Sequence, residues 1–300
     1  MTMAAAGRSA LNRLRSFATL ARPAQWIKNG FVLLPLFFAH ALGDPSAVRG
    51  ALLATLAFCL ASSAVYAGND VADVERDRLH PGKRGRPVAA GDIAPHAALA
   101  FGAGAAVIAL GIAFVGGGVP LGLAIAAYFA LQAAYTLLLK RIAWIDVAVV
   151  ATGFVLRLVA GGIGAGVPLT PWIVVMGFLL ALMLALGKRH GDLSRTFDPA
   201  ARAASGYSAR TLGWVLALLG GATFAAYVLY TLSPAVLARH GQRPLIESTP
   251  WVALGIVRYL VRVLRDAGIG SNPTRLALTD PVLLVAVIGW LAGLLVILYR

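Results

Sequence analysis

Residues 48–77 read VRGALLATLAFCLASSAVYAGNDVADVERD, an apolar stretch that runs without a break into the polar pattern NDxxDxxxD. Residues 48–68 carry one charge, Arg49, and are long enough to cross about 30 Å of hydrocarbon as a helix, which takes about 20 residues. The polar pattern then gathers Asn69, Asp70, Asp73, Glu75 and Asp77 in a chain that has only 12 acidic residues against 26 basic ones. If the helix continues, Asn69, Asp73 and Asp77 fall at i, i+4 and i+8, with Asp70 about 100° from Asn69, so these four share one face. Glu75 points away and reads as a solvated or ion-paired residue. Hard oxygen ligands on one face suit Mg²⁺, which keeps several waters and is commonly held by one or two carboxylates together with substrate phosphates.

Composition places that motif in a membrane. The chain has 300 residues, 59% hydrophobic and 13% charged, with a mean hydropathy of +0.80, which excludes an ordinary soluble domain. Apolar stretches recur near 26–42, 48–68, 96–115, 119–139, 144–163, 171–187, 210–231, 247–263 and 280–299. The expectation is an all-α, polytopic protein of about nine transmembrane helices. The eighth stretch is the weakest, since Arg258 lies inside it and Arg262 at its end. No linker or low-complexity tract divides the chain, so it reads as a single domain over 1–300. Residues 1–25 form an interfacial arm, with Leu11, Leu14, Phe17 and Ala18 toward lipid and Arg8, Arg13 and Arg15 at headgroups.

The basic residues set an orientation. The N-terminal arm and every second loop hold 20 of the 26 Lys and Arg residues; the other face has only Arg49, Arg239, Arg243 and Arg300. By the positive-inside rule the N-terminus and the acidic motif are cytoplasmic, in a cell (inner) membrane. The net charge of +14 therefore requires no nucleic-acid partner; topology, anionic lipid and an anionic substrate account for it.

Other features have plain readings. Cys59, the only cysteine, is a small core residue. Ala39-His40-Ala41 has the form of a signal cleavage site, but the preceding basic stretch is too long for an n-region. Gly116-Gly117-Gly118 reads as a tight outer turn, and Asp280-Pro281 as a helix start. His40, His96 and His240 show no ligand spacing, while His80 and His190 read as solvated loop residues. Two cytoplasmic loops four spans apart each mix acidic and basic residues after an apolar helix, which hints at an internal duplication.

After the acids comes Lys83-Arg84-Gly85-Arg86-Pro87-Val88-Ala89-Ala90-Gly91. Carboxylates, a divalent metal and nearby Lys/Arg together bind and expel diphosphate, because metal and cations neutralise charge on the leaving group. A topogenic basic loop over anionic lipid is the bland reading.

NDxxDxxxD followed by KRxRPxAxG resembles the first signature of the UbiA superfamily of intramembrane transferases, and the resemblance covers nearly the whole chain. Within it the chain is most similar to a phosphoribosyltransferase branch. That likeness is carried by Arg22-Pro23-Ala24-Gln25-Trp26-Ile27-Lys28-Asn29, Tyr135 to Lys140 with Ile145-Asp146-Val147, Gly153-Phe154-Val155-Leu156-Arg157, and Gly187-Lys188-Arg189. Prenyl-diphosphate-using members carry a second DxxxD-type cluster after the sixth span. This chain has Lys188-Arg189-His190-Gly191-Asp192 there and then only Asp198, where the phosphoribosyltransferases resemble KRxxEL; Asp192 stands in for the glutamate, one methylene shorter.

The resemblance implies a pentosyltransferase reaction: a polyprenyl (decaprenyl) phosphate attacks C1 of phosphoribosyl diphosphate and diphosphate leaves, in a pathway that supplies a cell-wall arabinose donor. It implies Mg²⁺ on Asn69, Asp73 and Asp77, with Asp70 close by as a further catalytic carboxylate. Phosphate ligands would come from Lys28, Lys83, Arg84, Arg86, Lys140, Lys188 and Arg189. Tyr66, three residues before Asn69, and Tyr135 either line the site or anchor at the membrane boundary. Arg157, inside a span, either contacts substrate or pairs with Asp146 or another buried acid. Transfer of a prenyl group to an aromatic acceptor is the alternative activity, and a non-enzymatic transporter or scaffold is a third reading. Polyprenyl chain length and oligomeric state stay open, a homo-oligomer among the choices.

Overall fold

The computed structural model describes residues 3–195, 206–239, 244–266, 270 and 272–299. Asp198, Arg202, His240 and Arg243 lie outside the described residues, as do the side chains of Arg8 and Leu11. Among the described residues every regular element is helical. In order these are α1 (Met3–Ala21), a 3₁₀ segment (Pro23–Leu33), α2 (Leu34–Phe38), a 3₁₀ turn (Ala41–Gly43), α3 (Pro45–Ala72), α4 (Val74–Leu79) and α5 (Pro95–Leu137). A 3₁₀ turn (Leu139–Arg141) leads to α6 (Ile145–Ala165) and α7 (Pro171–Arg195), then α8 (Ala209–Leu232) and α9 (Pro234–Arg239). A last 3₁₀ turn (Leu245–Ser248) precedes α10 (Thr249–Arg265), α11 (Pro273–Thr279) and α12 (Pro281–Tyr299). Proline at the first turn starts several of them, where its missing N–H costs nothing. Asp44 caps α3, its carboxylate accepting from Ser46 N at 2.8 Å and Ala47 N at 3.4 Å.

Six described helices, α3, α5, α6, α7, α8 and α12, are long and apolar enough to cross a membrane, so this is a multi-pass membrane protein. Seven of the nine apolar stretches read from sequence fall in these six, because α5 holds two. Its 43 residues would run about twice the hydrocarbon thickness if straight. The helix breaks at Gly118, where φ is 74° and ψ is −174°, a conformation only glycine adopts without strain. A Cβ on Gly122 would overlap the Phe114 ring, so the two halves fold back on each other at the expected turn.

The first apolar stretch differs from expectation. Residues 26–42 form no continuous α-helix; they divide between the 3₁₀ segment and the five-residue α2. Arg22 (φ 54°) before them and His40 (φ 57°) near their end lie in the left-handed region, and Pro35 stands in the first turn of α2. The eighth stretch becomes α10, 17 residues long and split between an apolar and a basic face, as Arg258 and Arg262 require.

Two compact units share these elements. The first comprises residues 1–137 and 156–169, the second 138–155 and 170–300. In the first unit α3 packs on α5 around Phe58, Leu121, Ile125 and Tyr128, with Ala54, Ala57, Ala61, Ala109, Ala113 and Ala160 permitting close approach. Where α3 meets the end of α6, a Cβ on Gly164 would lie 2.7 Å from the Gly50 carbonyl oxygen. Phe17 of α1 does not face lipid as expected; it packs on Phe101 at 5.7 Å beside the buried Leu20, whereas Leu14 and Ala18 are exposed. Phe17 and Leu20 lie at i and i+3, so docking one aromatic turns that stripe inward.

In the second unit Met183, Leu186, Leu212, Leu216, Ile256, Tyr259 and Val263 form the core. Large apolar side chains also cover the outside, Val107 and Leu218 among them, as a hydrocarbon solvent demands.

Candidate active site

The acidic motif sits at the end of α3 and on α4. The helix is interrupted at Asp73 (φ −103°, ψ 9°), yet i to i+4 bonds continue across it: Asp73 N donates to Asn69 O and Asp77 N to Asp73 O, each at 2.9 Å. The facial order expected from an unbroken helix is therefore largely kept. Its occupants are held in different ways.

Asp70 and Asp77 are buried and seven residues apart, two turns on the same side. Arg86, from the basic loop, donates from Nη1 to Asp70 Oδ1 at 3.1 Å and Asp77 Oδ2 at 2.6 Å. Arg22 donates from Nη2 to the same Asp70 oxygen and lies over the Tyr66 ring, its guanidinium carbon 4.8 Å from the centroid. Lys83 Nζ lies 3.9 Å from Asp77 Oδ1. Asn69 is turned aside, its Oδ1 accepting from Thr136 Oγ1 at 2.8 Å. Asp73 is partly open and pairs with Arg76 at 3.6 Å, Glu75 is exposed and pairs with Arg78 at 2.8 Å, and Arg84 is exposed.

Asp70 Oδ2 and Asp77 Oδ1 are buried without a hydrogen-bond partner. Buried carboxylate oxygens seldom stay unsatisfied. Hard anionic oxygens beside a cationic rim are the chemistry a divalent cation with a bound phosphate requires, so these residues fit Mg²⁺. Among the described residues no three His, Cys, Asp or Glu side chains form a metal-holding group; the arginines now take the inner oxygens.

Arg157 also lies in the first unit. It is buried; Nε donates to Asn29 Oδ1 at 2.8 Å and Nη2 to Ser62 Oγ and Tyr128 OH at 3.4 Å, and its guanidinium carbon lies 5.2 and 5.0 Å from the Phe58 and Tyr128 ring centroids. Asn29 Nδ2 in turn donates to Cys59 Sγ at 3.2 Å, and Trp26 Nε1 to Ser63 Oγ at 3.1 Å. The Arg22–Asn29 segment is thus stitched to α3. Lys28, within it, and Tyr135, beside Thr136, are half-buried.

In the second unit Asp146 is buried at the start of α6. Its Oδ2 takes Arg189 Nη2 at 2.7 Å; its Oδ1 takes Val147 N at 2.8 Å and the Tyr207 hydroxyl. The Tyr207 oxygen accepts from Trp144 N at 2.8 Å. Asp146, one of the partners open to Arg157 on sequence, is therefore engaged by Arg189 and Tyr207. Arg189 Nη1 lies 3.9 Å from Asp192 Oδ2; Lys188 is exposed and Lys140 half-buried.

Sequence reasoning misses three residues here. Arg22 reads from sequence only as a topogenic charge, although it stands in the RPxQW segment. Thr136 and Tyr207 carry no local signal, since their roles depend on contacts 67 and 61 residues away.

The chain is 34% identical to the decaprenyl-phosphate phosphoribosyltransferase of Corynebacterium glutamicum, over 93% of this chain and 85% of that protein. It is 33% identical to the enzyme of that name from Mycolicibacterium smegmatis, over 90% and 88%. A solved UbiA homologue from Archaeoglobus fulgidus, bound to GPP and Mg²⁺, shares the fold with a TM-score of 0.70 at 16% identity, over 95% of this chain and 100% of that one. Residues 31–268 match the model of the UbiA prenyltransferase family, and the chain belongs to that family.

Proposed function

We propose that this protein transfers the 5-phosphoribosyl group of phosphoribosyl diphosphate to a polyprenyl phosphate, with release of diphosphate, at the cytoplasmic face of the cell membrane. The carrying observation is the buried Asp70–Arg86–Asp77 cluster with two carboxylate oxygens that lack a hydrogen-bond partner, in a chain one-third identical to decaprenyl-phosphate phosphoribosyltransferases.

In the reaction, a phosphate oxygen of the lipid forms a bond to C1 of the ribose as the C1–O bond to diphosphate breaks, and the bonding pair leaves with diphosphate. The attacking phosphate is already an anion, so no general base is needed. Asp70 and Asp77 would hold Mg²⁺, with Asp73 and Asn69 beside them. Bound there, the ion would neutralise charge on the departing diphosphate. Arg86, Lys83 and Arg22 face the same carboxylates and supply the cationic rim, with Tyr66 against Arg22; Arg84 and Lys28 would add to it. In the second unit Arg189, with Lys188 and Lys140, takes the metal-free phosphate of the lipid. A planar guanidinium suits that bidentate contact better than an ammonium does.

Prenyl transfer to an aromatic acceptor is the second reading, favoured by the GPP and Mg²⁺ bound in the Archaeoglobus fulgidus homologue. The test is purified protein with Mg²⁺, labelled phosphoribosyl diphosphate and polyprenyl phosphate. Label moving into the lipid phase is expected. No lipid product, together with turnover of a prenyl diphosphate, would overturn the proposal.

A further inference from the structure

We infer that Tyr207 is a positioning residue: acting through Asp146, it fixes the Arg189 guanidinium in the orientation that receives the phosphate of the polyprenyl phosphate. This rests on the reading of Arg189 as a phosphate ligand and goes beyond it by naming what holds that ligand in place.

The Tyr207 oxygen accepts the Trp144 N–H at 2.8 Å, so its one proton is directed to Asp146 Oδ1. Asp146 Oδ1 also takes Val147 N at 2.8 Å, and two donors on one oxygen fix the rotation of the carboxylate. Oδ2 is thereby aimed at Arg189 Nη2, 2.7 Å away. Arg189 is 26% exposed, with Nη2 on Asp146 and Nη1 3.9 Å from Asp192 Oδ2, so it is the exposed part of the guanidinium that a phosphate would meet. A phosphate bound bidentately needs the plane of that guanidinium preset, because a free arginine side chain must otherwise be ordered on binding.

The backbone around the clasp has the marks of a built device. Trp144 has φ 70°, in the left-handed region that a bulky residue avoids, and the amide it presents there is the one Tyr207 accepts. Gly206 has φ 69°, and a Cβ on it would stand 2.9 Å from Ala143 Cβ. The two loops therefore meet where only glycine fits. The rings of Trp144 and Tyr207 pack edge to face at 5.2 Å. Burial, and then the bond to Asp146, push the Tyr207 hydroxyl up to about 12, so it stays a donor throughout the neutral range.

The test compares wild type, Tyr207→Phe, Arg189→Ala and the double variant in full-length protein. It reads KM for each substrate, kcat, thermal midpoint, and the Kd for polyprenyl phosphate measured without donor. Tyr207→Phe should raise acceptor KM and Kd about 3- to 10-fold, less than direct loss of a hydrogen bond to a charged group, because Tyr207 acts on Arg189 only through Asp146. Donor KM and kcat should stay within twofold. In the Arg189→Ala background the same change should add less than twofold. Equal effects in both backgrounds, or an effect on thermal midpoint or kcat alone, would overturn the positioning role. Arg189→Ala with unchanged acceptor KM and Kd would overturn the assignment of Arg189 itself, and the inference with it. Asp146→Asn, which keeps the shape, should move acceptor Kd in the same direction and serves if Tyr207→Phe does not fold.

Discussion

A single nitrogen of Arg86 lies 3.1 Å from Asp70 and 2.6 Å from Asp77, and so joins two buried carboxylates across the break between α3 and α4. Two like charges cannot be buried side by side without such a counter-ion. The arginine satisfies one oxygen of each acid and leaves Asp70 Oδ2 and Asp77 Oδ1 without a donor. The cluster is therefore stable as folded and still holds hard oxygen ligands in reserve.

Asp70→Asn and Asp77→Asn should each lower turnover about 10²- to 10³-fold, the scale for loss of charge stabilisation on a leaving group. The Mg²⁺ concentration giving half-maximal rate should rise as well. EDTA should abolish turnover and added Mg²⁺ restore it. Asp73→Asn should be sharply impaired if Asp73 completes the set, and turnover of all three at the wild-type level would remove these acids from the mechanism.

Arg22 shares Asp70 with Arg86 and stacks on Tyr66, so it ties the segment before the first 3₁₀ helix to the acids. Arg22→Ala should lower kcat/KM for the diphosphate substrate by about tenfold or more, the scale for a charge-assisted hydrogen bond. Arg22→Lys should recover part of that loss but not all, since an ammonium cannot both pair and stack in the same way. Equal kinetics for the two variants and wild type would make Arg22 a topogenic charge after all.

The class of fold was legible because hydrocarbon acts on every residue of a span, and mean hydropathy sums that demand. Residues 48–68 needed no tertiary contact to be read. The break of residues 26–42 was not legible, since Arg22 and His40 enter the left-handed region and Asn29 bonds to Cys59 and Arg157 far along the chain. At the site, spacing predicted one face for the acids, and the i to i+4 backbone bonds from Asn69 through Asp73 to Asp77 continue across the break. It could not tell that Asn69 turns to Thr136 while Asp70 and Asp77 share Arg86, because both choices are made by side chains from other elements.

Arg157 reads from sequence as either a substrate contact or a structural pair. Its bonds to Asn29, Ser62 and Tyr128 and its place against two rings point to structure. Arg157→Met should lower stability by about 1–3 kcal/mol, the cost of stranding buried polar partners, read as the thermal midpoint in detergent. KM for both substrates should change less than threefold in the folded fraction. Unchanged stability with a tenfold rise in either KM would make it a substrate contact.

The raised Tyr207 hydroxyl has a pH consequence. Its ordinary value is near 10 and its value here about 12, so between these the unfolded chain loses a proton that the folded one keeps. That stability is fully present below pH 10 and lost as pH rises toward about 12. Wild-type protein should therefore lose more thermal midpoint across this window than Tyr207→Phe does. Parallel curves would show that the hydroxyl is not held as a donor.

Gly164 and Gly50 set how closely α3 approaches the end of α6. A Cβ on Gly164 would stand 2.7 Å from the Gly50 carbonyl oxygen and 2.8 Å from Ala54 Cβ. Neither neighbour is the far end of a flexible side chain, so the helices themselves must separate. Overpacking of this kind costs about 1–3 kcal/mol, and Gly164→Ala should lower the thermal midpoint accordingly. A Cβ on Gly111, in α5, would meet nothing within 4 Å, and Gly111→Ala should be neutral or stabilising by up to about 1 kcal/mol through helix propensity. The two substitutions add the same atom to a helix, so a difference in sign isolates the crossing. Equal midpoints for both would mean that the α3 and α6 backbones are not in contact there.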